Sequence, residues 1–154
     1  MPGDCSVVTR SAEETQQLGR ELSAELVAGD VIALTGDLGS GKTCMIQGIC
    51  RGLRVCDPVN SPTFVLANEY EGVLGGQPIP VFHLDLYRLS SRTELEDLGA
   101  EEYFYGQGVC LVEWADRAEG LLPLKRRDVQ LQYLGDEQRR VTVKVLTPRS
   151  SPPT

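Results

Sequence analysis

The sequence predicts an α/β fold of three layers, with a sheet that mixes parallel and antiparallel strands. Three observations predict it. "VIALT", Val31 to Thr35, is a continuous apolar run that suits a strand buried on both faces. A glycine-rich loop follows at once, and then "TCMIQGICRGL", where Met45, Ile46, Ile49, Cys50 and Leu53 recur at helical spacing. Farther along, runs that alternate with period two are joined by connections too short for a crossover helix, which calls for antiparallel hairpins beside the parallel unit.

Taken in order, "RSAEETQQLGRELSAELVAGD" reads as the first helix. Ser11 caps it, Glu14 closes a capping box, Leu18, Leu22 and Leu26 share a face, and Gly29 ends it. After the strand–loop–helix unit, "SPTFVLANEY" alternates like a strand, "EGVLGGQPIP" is rich in turn residues, and "VFHLDLYRL" alternates again. "SSRTELEDLG" reads as a short helix with Ser91 and Glu94 as its capping box and Gly99 as its stop. "GVCLVEW" is a second buried strand ending in an acid, and "DVQLQYL" and "RRVTVKVL", joined by "GDEQ", make a closing hairpin. The length of 154 residues fits a single domain, expected over 1–146, with 147–154, "TPRSSPPT", as a disordered Pro/Ser-rich tail.

Composition narrows the function. With 41% hydrophobic and 24% charged residues the chain is of ordinary globular type. No apolar run approaches the roughly 20 residues of a membrane span, and the N-terminus lacks the basic flank and apolar core of a signal peptide. The five cysteines form no CxxC pair and, with one histidine, match no zinc spacing, so a reduced, cytoplasmic setting is expected. A net charge of −7 argues against gripping nucleic acid unaided. The one dense basic cluster, Lys125-Arg126-Arg127, reads as a solvated turn.

The loop carries the chemistry. Gly36-x4-Gly41-Lys42-Thr43 satisfies the P-loop pattern, between a strand and a helix as that pattern requires. Gly36, Gly39 and Gly41 let the backbone turn its N–H groups toward phosphate oxygens, with Asp37, Leu38, Ser40 and Cys44 completing the wrap. Lys42 is expected at the β- and γ-phosphates and Thr43 at Mg²⁺. Such a site needs an acid across from it. Asp85 in "HLDLY" and Glu113 at the end of "GVCLVE" are the candidates, against the plainer readings of an exposed hairpin carboxylate and a solvated strand end. Spacing alone leaves His83 a packed or hydrogen-bonded residue and Trp114 a core residue. Thr63 in "SPTF" is equally a switch-loop threonine or an ordinary strand start. The fold class is therefore P-loop NTPase-like.

In order, "GDLGSGKT", "SPTF", "HLDLYRL", "ELEDLGAEEYF" and "LVEWADR" resemble the TsaE family, bacterial ATPases of tRNA threonylcarbamoyladenosine biosynthesis, from about Ser11 to Val145. The resemblance implies a slow ATPase using ATP and Mg²⁺. It implies work with a heterodimer of TsaD and TsaB, in which TsaD transfers the threonylcarbamoyl group to the adenosine beside the anticodon and tRNA is reached only through the complex. It also implies that Asp85 and Glu113 position Mg²⁺ and water, that Thr63 is the switch-loop threonine, that Trp114 lies near the nucleotide, and that Ser11 and its neighbours lie near the adenine. "ADR" after "EW" departs from the usual family sequence, so Asp116 and Arg117 carry no transferred role.

Three rivals stand beside it. A small-molecule kinase would need an arginine-bearing lid, and no lid-like insertion interrupts the pattern. A GTPase would need NKxD and DxxG, which are absent. A nucleotide-sensing module without useful turnover shares every feature above. Arg88 is the best internal candidate for an arginine finger, and a partner is the other source.

Overall fold

The computed structural model describes residues 4–37, 39–60, 67–89, 91–97, 99–118 and 120–147. Leu38, the "SPTF" segment with Thr63, and the tail from 148 on lie outside them. Among the described residues one seven-stranded sheet runs in the order β1-β7-β6-β2-β5-β4-β3, with β1 Cys5–Thr9, β2 Val31–Thr35, β3 Ala67–Leu74, β4 Gln77–Asp85, β5 Val109–Glu113, β6 Arg126–Gly135 and β7 Gln138–Leu146. The helices are α1 Ala12–Ser23, α2 Lys42–Gly52, α3 Arg92–Asp97 and α4 Ala100–Phe104, and a 3₁₀ turn spans Ala115–Ala118.

The four central strands β6, β2, β5 and β4 are mutually parallel, while β3 and the β7–β1 pair are antiparallel additions at either edge. The mixed sheet expected from the sequence is present. β2 and β5 bury both faces because helices cover each side. Alternation divides them: Ile32, Leu34 and Leu111 join Leu18, Leu22, Met45, Ile46 and Ile49 under α1 and α2. Val31, Ala33, Cys110 and Val112 join Leu95, Ala100, Phe104 and Ala118 on the opposite face. Each fully buried aliphatic side chain contributes about 1.5–3 kcal/mol relative to exposure, so these two clusters hold the strand ends in fixed register.

The capping readings hold locally. Ser11 caps α1, its hydroxyl accepting from Glu14 N at 3.1 Å, but the Glu14 carboxylate reaches back to Arg10 N rather than to the cap residue. Ser91 Oγ likewise accepts from Glu94 N at 3.2 Å. Other expectations are corrected. Helix α1 stops at Ser23, well before Gly29, and Leu26 is buried from the following turn rather than from the helix. "EGVLGGQPIP" is mostly strand, because Gly75 and Gly76, both at positive φ, make the two-residue turn a tight hairpin needs. Arg126 and Arg127 open β6 instead of sitting in a turn, Arg126 pairing with Asp128 at 2.8 Å. Strand β1 and helix α4 were not foreseen. Each has five residues, too few for a periodic signal.

Helices α1 and α2 meet closely through glycines. A Cβ on Gly19 would lie 2.5 Å from Met45 O, and one on Gly48 would run into the Gln16 backbone. This close approach sets α2, and with it the loop at its N-terminus, against the sheet.

Candidate functional site

Parallel strands deliver their C-terminal ends to one sheet edge, the usual place for a ligand crevice in open α/β sheets. Here that edge gathers Thr35 and the glycine loop after β2, Asp85 at the end of β4 and Glu113 at the end of β5. Asp85 and Glu113 are register partners on adjacent parallel strands, so the two acids reach the same edge. A cleft of about 270 Å³ there is lined by Gly39, Ser40, Gly41, Lys42, Thr43, Cys44 and Glu113. A larger cavity of about 400 Å³ lies on the other sheet face beneath the 3₁₀ turn and holds none of the glycine loop.

Two loop glycines are required by contact and conformation together. Gly36, at φ 146°, would place a Cβ 2.5 Å from Leu131 O, and Gly41 starts α2 at φ 101° against the Arg139 side chain. The loop thus wraps back on itself. The Lys42 ammonium donates to Gly36 O, to Asp37 O at 2.9 Å and to Ser40 Oγ at 3.4 Å. Burial lowers the Lys42 pKa, opposed by the nearby Glu113, Asp37, Asp85 and Asp116 carboxylates.

Thr43 donates its hydroxyl proton to Glu113 Oε1 at 3.0 Å. The second carboxylate oxygen lies 2.6 Å from His83 Nε2, and His83 Nδ1 meets the Tyr70 hydroxyl at 3.3 Å. Facing a carboxylate, Nε2 is the donor. Tyr70 stands 3.3 Å from Asn60 O, and Asn68 Nδ2 donates to the same carbonyl at 3.2 Å. A chain of contacts therefore runs from the exposed Asn60, through the buried Tyr70, His83 and Glu113, to the half-buried Thr43. His83, read from spacing as a packed or hydrogen-bonded residue, is both: it is wholly buried and its Nε2 orients the acid. Its signal was its place two residues before Asp85 on one face of β4; Tyr70 left none, because its contact arises from cross-strand register.

Asp85 is half-buried and accepts from Tyr87 N at 3.0 Å. Burial raises its pKa, the Tyr87 bond opposes this, and Glu113 adds to the rise. Trp114 takes φ 57°, a left-handed conformation that costs a bulky residue of order 1–3 kcal/mol. The turn sets its ring 3.9 Å from Lys42 Nζ and 5.0 Å from the Tyr87 ring. Trp114 is thus at the loop, not in the core interior alone. Ser11 stands near the loop through Cys44, whose thiol donates to Ala12 O at 3.2 Å. Arg88, Asp116 and Arg117 are exposed, Arg117 lying 5.9 Å from the Tyr87 ring. Thr63 and Leu38 lie outside the described residues.

Side by side, the Thr43 hydroxyl and the Glu113 carboxylate are hard oxygen donors of the kind Mg²⁺ takes. Among the described residues no group of three His, Cys, Asp or Glu side chains stands in ligating distance.

The family model described as "Threonylcarbamoyl adenosine biosynthesis protein TsaE" matches residues 9–141. The tRNA threonylcarbamoyladenosine biosynthesis protein TsaE of Bacillus subtilis (strain 168) is 45% identical over 87% of this chain and 81% of its own. Its Treponema pallidum (strain Nichols) counterpart is 39% identical over 88% and 97%. The crystal structure of YdiB from B. subtilis superposes with a TM-score of 0.79 at 36% identity, covering 96% of this chain and 88% of that one. No helix among the described residues is long and apolar enough to cross a membrane. This chain belongs to the TsaE family, whose members take part in the biosynthesis of threonylcarbamoyladenosine in tRNA.

Proposed function

We propose that this chain is a Mg²⁺-dependent ATP hydrolase with a P-loop NTPase-like fold. It serves threonylcarbamoyladenosine synthesis in the cytoplasm by resetting a TsaD–TsaB complex between turnovers, with TsaD as the transferase and tRNA reached only through the complex. The observation that carries the reading is the Thr43–Glu113 contact of 3.0 Å directly beside the Lys42 ammonium and the glycine loop. In this reading Lys42 exchanges its bonds to Gly36 O and Asp37 O for β- and γ-phosphate oxygens. The backbone N–H groups of Gly39 to Cys44 hold the phosphates, with the N-terminus of α2 adding its positive end. Thr43 and Glu113 would hold Mg²⁺, which when bound would supply neutralisation of phosphate charge.

Asp85 would position the attacking water. His83 keeps the Glu113 carboxylate turned toward Thr43, and Trp114 closes the site over Lys42 and limits water. Thr63 is the switch-loop threonine that senses the γ-phosphate, and Ser11 with its neighbours lies near the adenine. The test is Mg²⁺-dependent phosphate release from ATP, measured alone and with a TsaD–TsaB pair, together with nucleotide-dependent association. No nucleotide affinity and no association in any state would reject the proposal. Binding and association without turnover would select the sensing module instead.

A further inference from the structure

The C-terminal hairpin brings a cation to the loop that no motif announces. Arg139 of β7 is the register partner of Tyr133 across the hairpin and of Thr9 in β1. Its side chain lies against Gly41, where a Cβ would meet Arg139 Nε at 3.5 Å and Cγ at 3.7 Å. Its positive charge also reaches Cys44, in the first turn of α2. The guanidinium is 4.5 Å over the Tyr133 ring, and Nη1 donates to Gln138 O at 3.0 Å. Nε is buried with no hydrogen-bond partner. A buried donor on a permanently charged group costs free energy when left unpaired, and the side edge of a guanidinium is shaped for phosphate oxygens.

Resting on the nucleotide-site reading above, we infer that Arg139 is a second cationic arm of the phosphate site. It pairs through its Nε edge with the α- or β-phosphate, on the Gly41–Cys44 side of the loop, while Lys42 serves the β/γ side. Stacking on Tyr133 and the bond to Gln138 O fix the guanidinium plane, and the β6–β7 hairpin thereby becomes part of the ligand site rather than only a sheet edge.

Direct titration with ADP and with ATP, in Mg²⁺, of the full chain and of Arg139→Gln and Arg139→Lys tests this, with thermal melts in parallel. Arg139→Gln is expected to weaken ADP and ATP alike by about tenfold or more, the scale of a charge-assisted hydrogen bond. Arg139→Lys should recover part of the loss. Unchanged affinity in Arg139→Gln, with or without a lowered melting temperature, overturns the inference and leaves the arginine a structural residue. A loss for ATP with ADP unaffected also overturns it, since the contact would then lie at the γ-phosphate. If Arg139→Gln does not fold, Arg139→Lys decides: native affinities for both nucleotides overturn the inference, and a shared weakening sustains it. Failure of the unmodified chain to bind either nucleotide would instead sink the underlying nucleotide-site reading.

Discussion

Glu113 divides its two oxygens between Thr43, at 3.0 Å, and the wholly buried His83, at 2.6 Å. The acid at the end of β5 is thereby held from both sides and cannot rotate without breaking one of these bonds. Replacing His83 with Leu removes one partner of a buried polar pair and leaves the carboxylate short of a donor. About 3 kcal/mol of stability should be lost, measurable by chemical denaturation. His83→Gln, which keeps a donor, should recover part of it. Equal stability of His83→Leu and the unmodified chain would show that the pair orients nothing.

Lys42→Ala should cut ATP hydrolysis by about 10²-fold or more, since in the proposed site the ammonium would meet the developing phosphate charge. Its effect on the melting temperature should be small. The bonds it loses are balanced by release of a buried cation whose pKa is lowered by burial. Phosphate-release assays beside thermal melts check both parts, and normal turnover would refute the role given to Lys42.

Asp85→Asn should lower hydrolysis while raising stability near pH 7. Burial favours the protonated carboxyl in the fold, so the native chain binds more protons than the unfolded one just above the ordinary value of 3.8. The contribution of Asp85 is therefore most favourable at low pH and declines as the pH rises through that window. The stability gain of Asp85→Asn should accordingly be larger at about pH 7 than at about pH 4.5. Denaturation curves at the two pH values test the sign. A gain that grows toward acid would contradict it.

The buried cysteines give an alkaline signature. Burial pushes the Cys50 thiol up to about 12, and Cys110 is raised further, both from an ordinary value of 9.0. Their contribution is fully present below 9.0 and is lost as the pH climbs toward the folded values. Stability should fall between about pH 8 and about pH 10.5, and less steeply in Cys50→Ala than in the unmodified chain after correcting for its lower starting stability. Iodoacetamide should label the exposed Cys56 under native conditions and reach Cys50 and Cys110 only on unfolding. Peptide mapping of labelled protein checks this.

Gly48→Ala should destabilise by about 1–3 kcal/mol or more, because the added methyl meets the Gln16 backbone rather than a movable side chain. Exposed Gly76, with open space around its Cα but a φ of 78°, offers a contrast. Gly76→Asn should cost far less, since Asn tolerates the left-handed conformation.

By itself the sequence determined the strand–loop–helix unit, the buried parallel strands and the two acids at strand ends. Each of these is written in local periodicity or in a spacing that chemistry demands. Val31–Thr35 is a strand over its full predicted length, and Ser11 and Ser91 cap the helices they were read to cap. Only the tertiary structure decided what those residues meet. The partner of Glu113 in the core is His83 on the neighbouring strand, and the partner of Gly41 is Arg139, which arrives from β7 nearly a hundred positions along the chain. Cross-strand register and the close approach of backbones at glycines set such contacts, and neither is encoded in any window of sequence short enough to read. The orientation of the site acid and the reach of the closing hairpin are therefore properties of the assembled sheet.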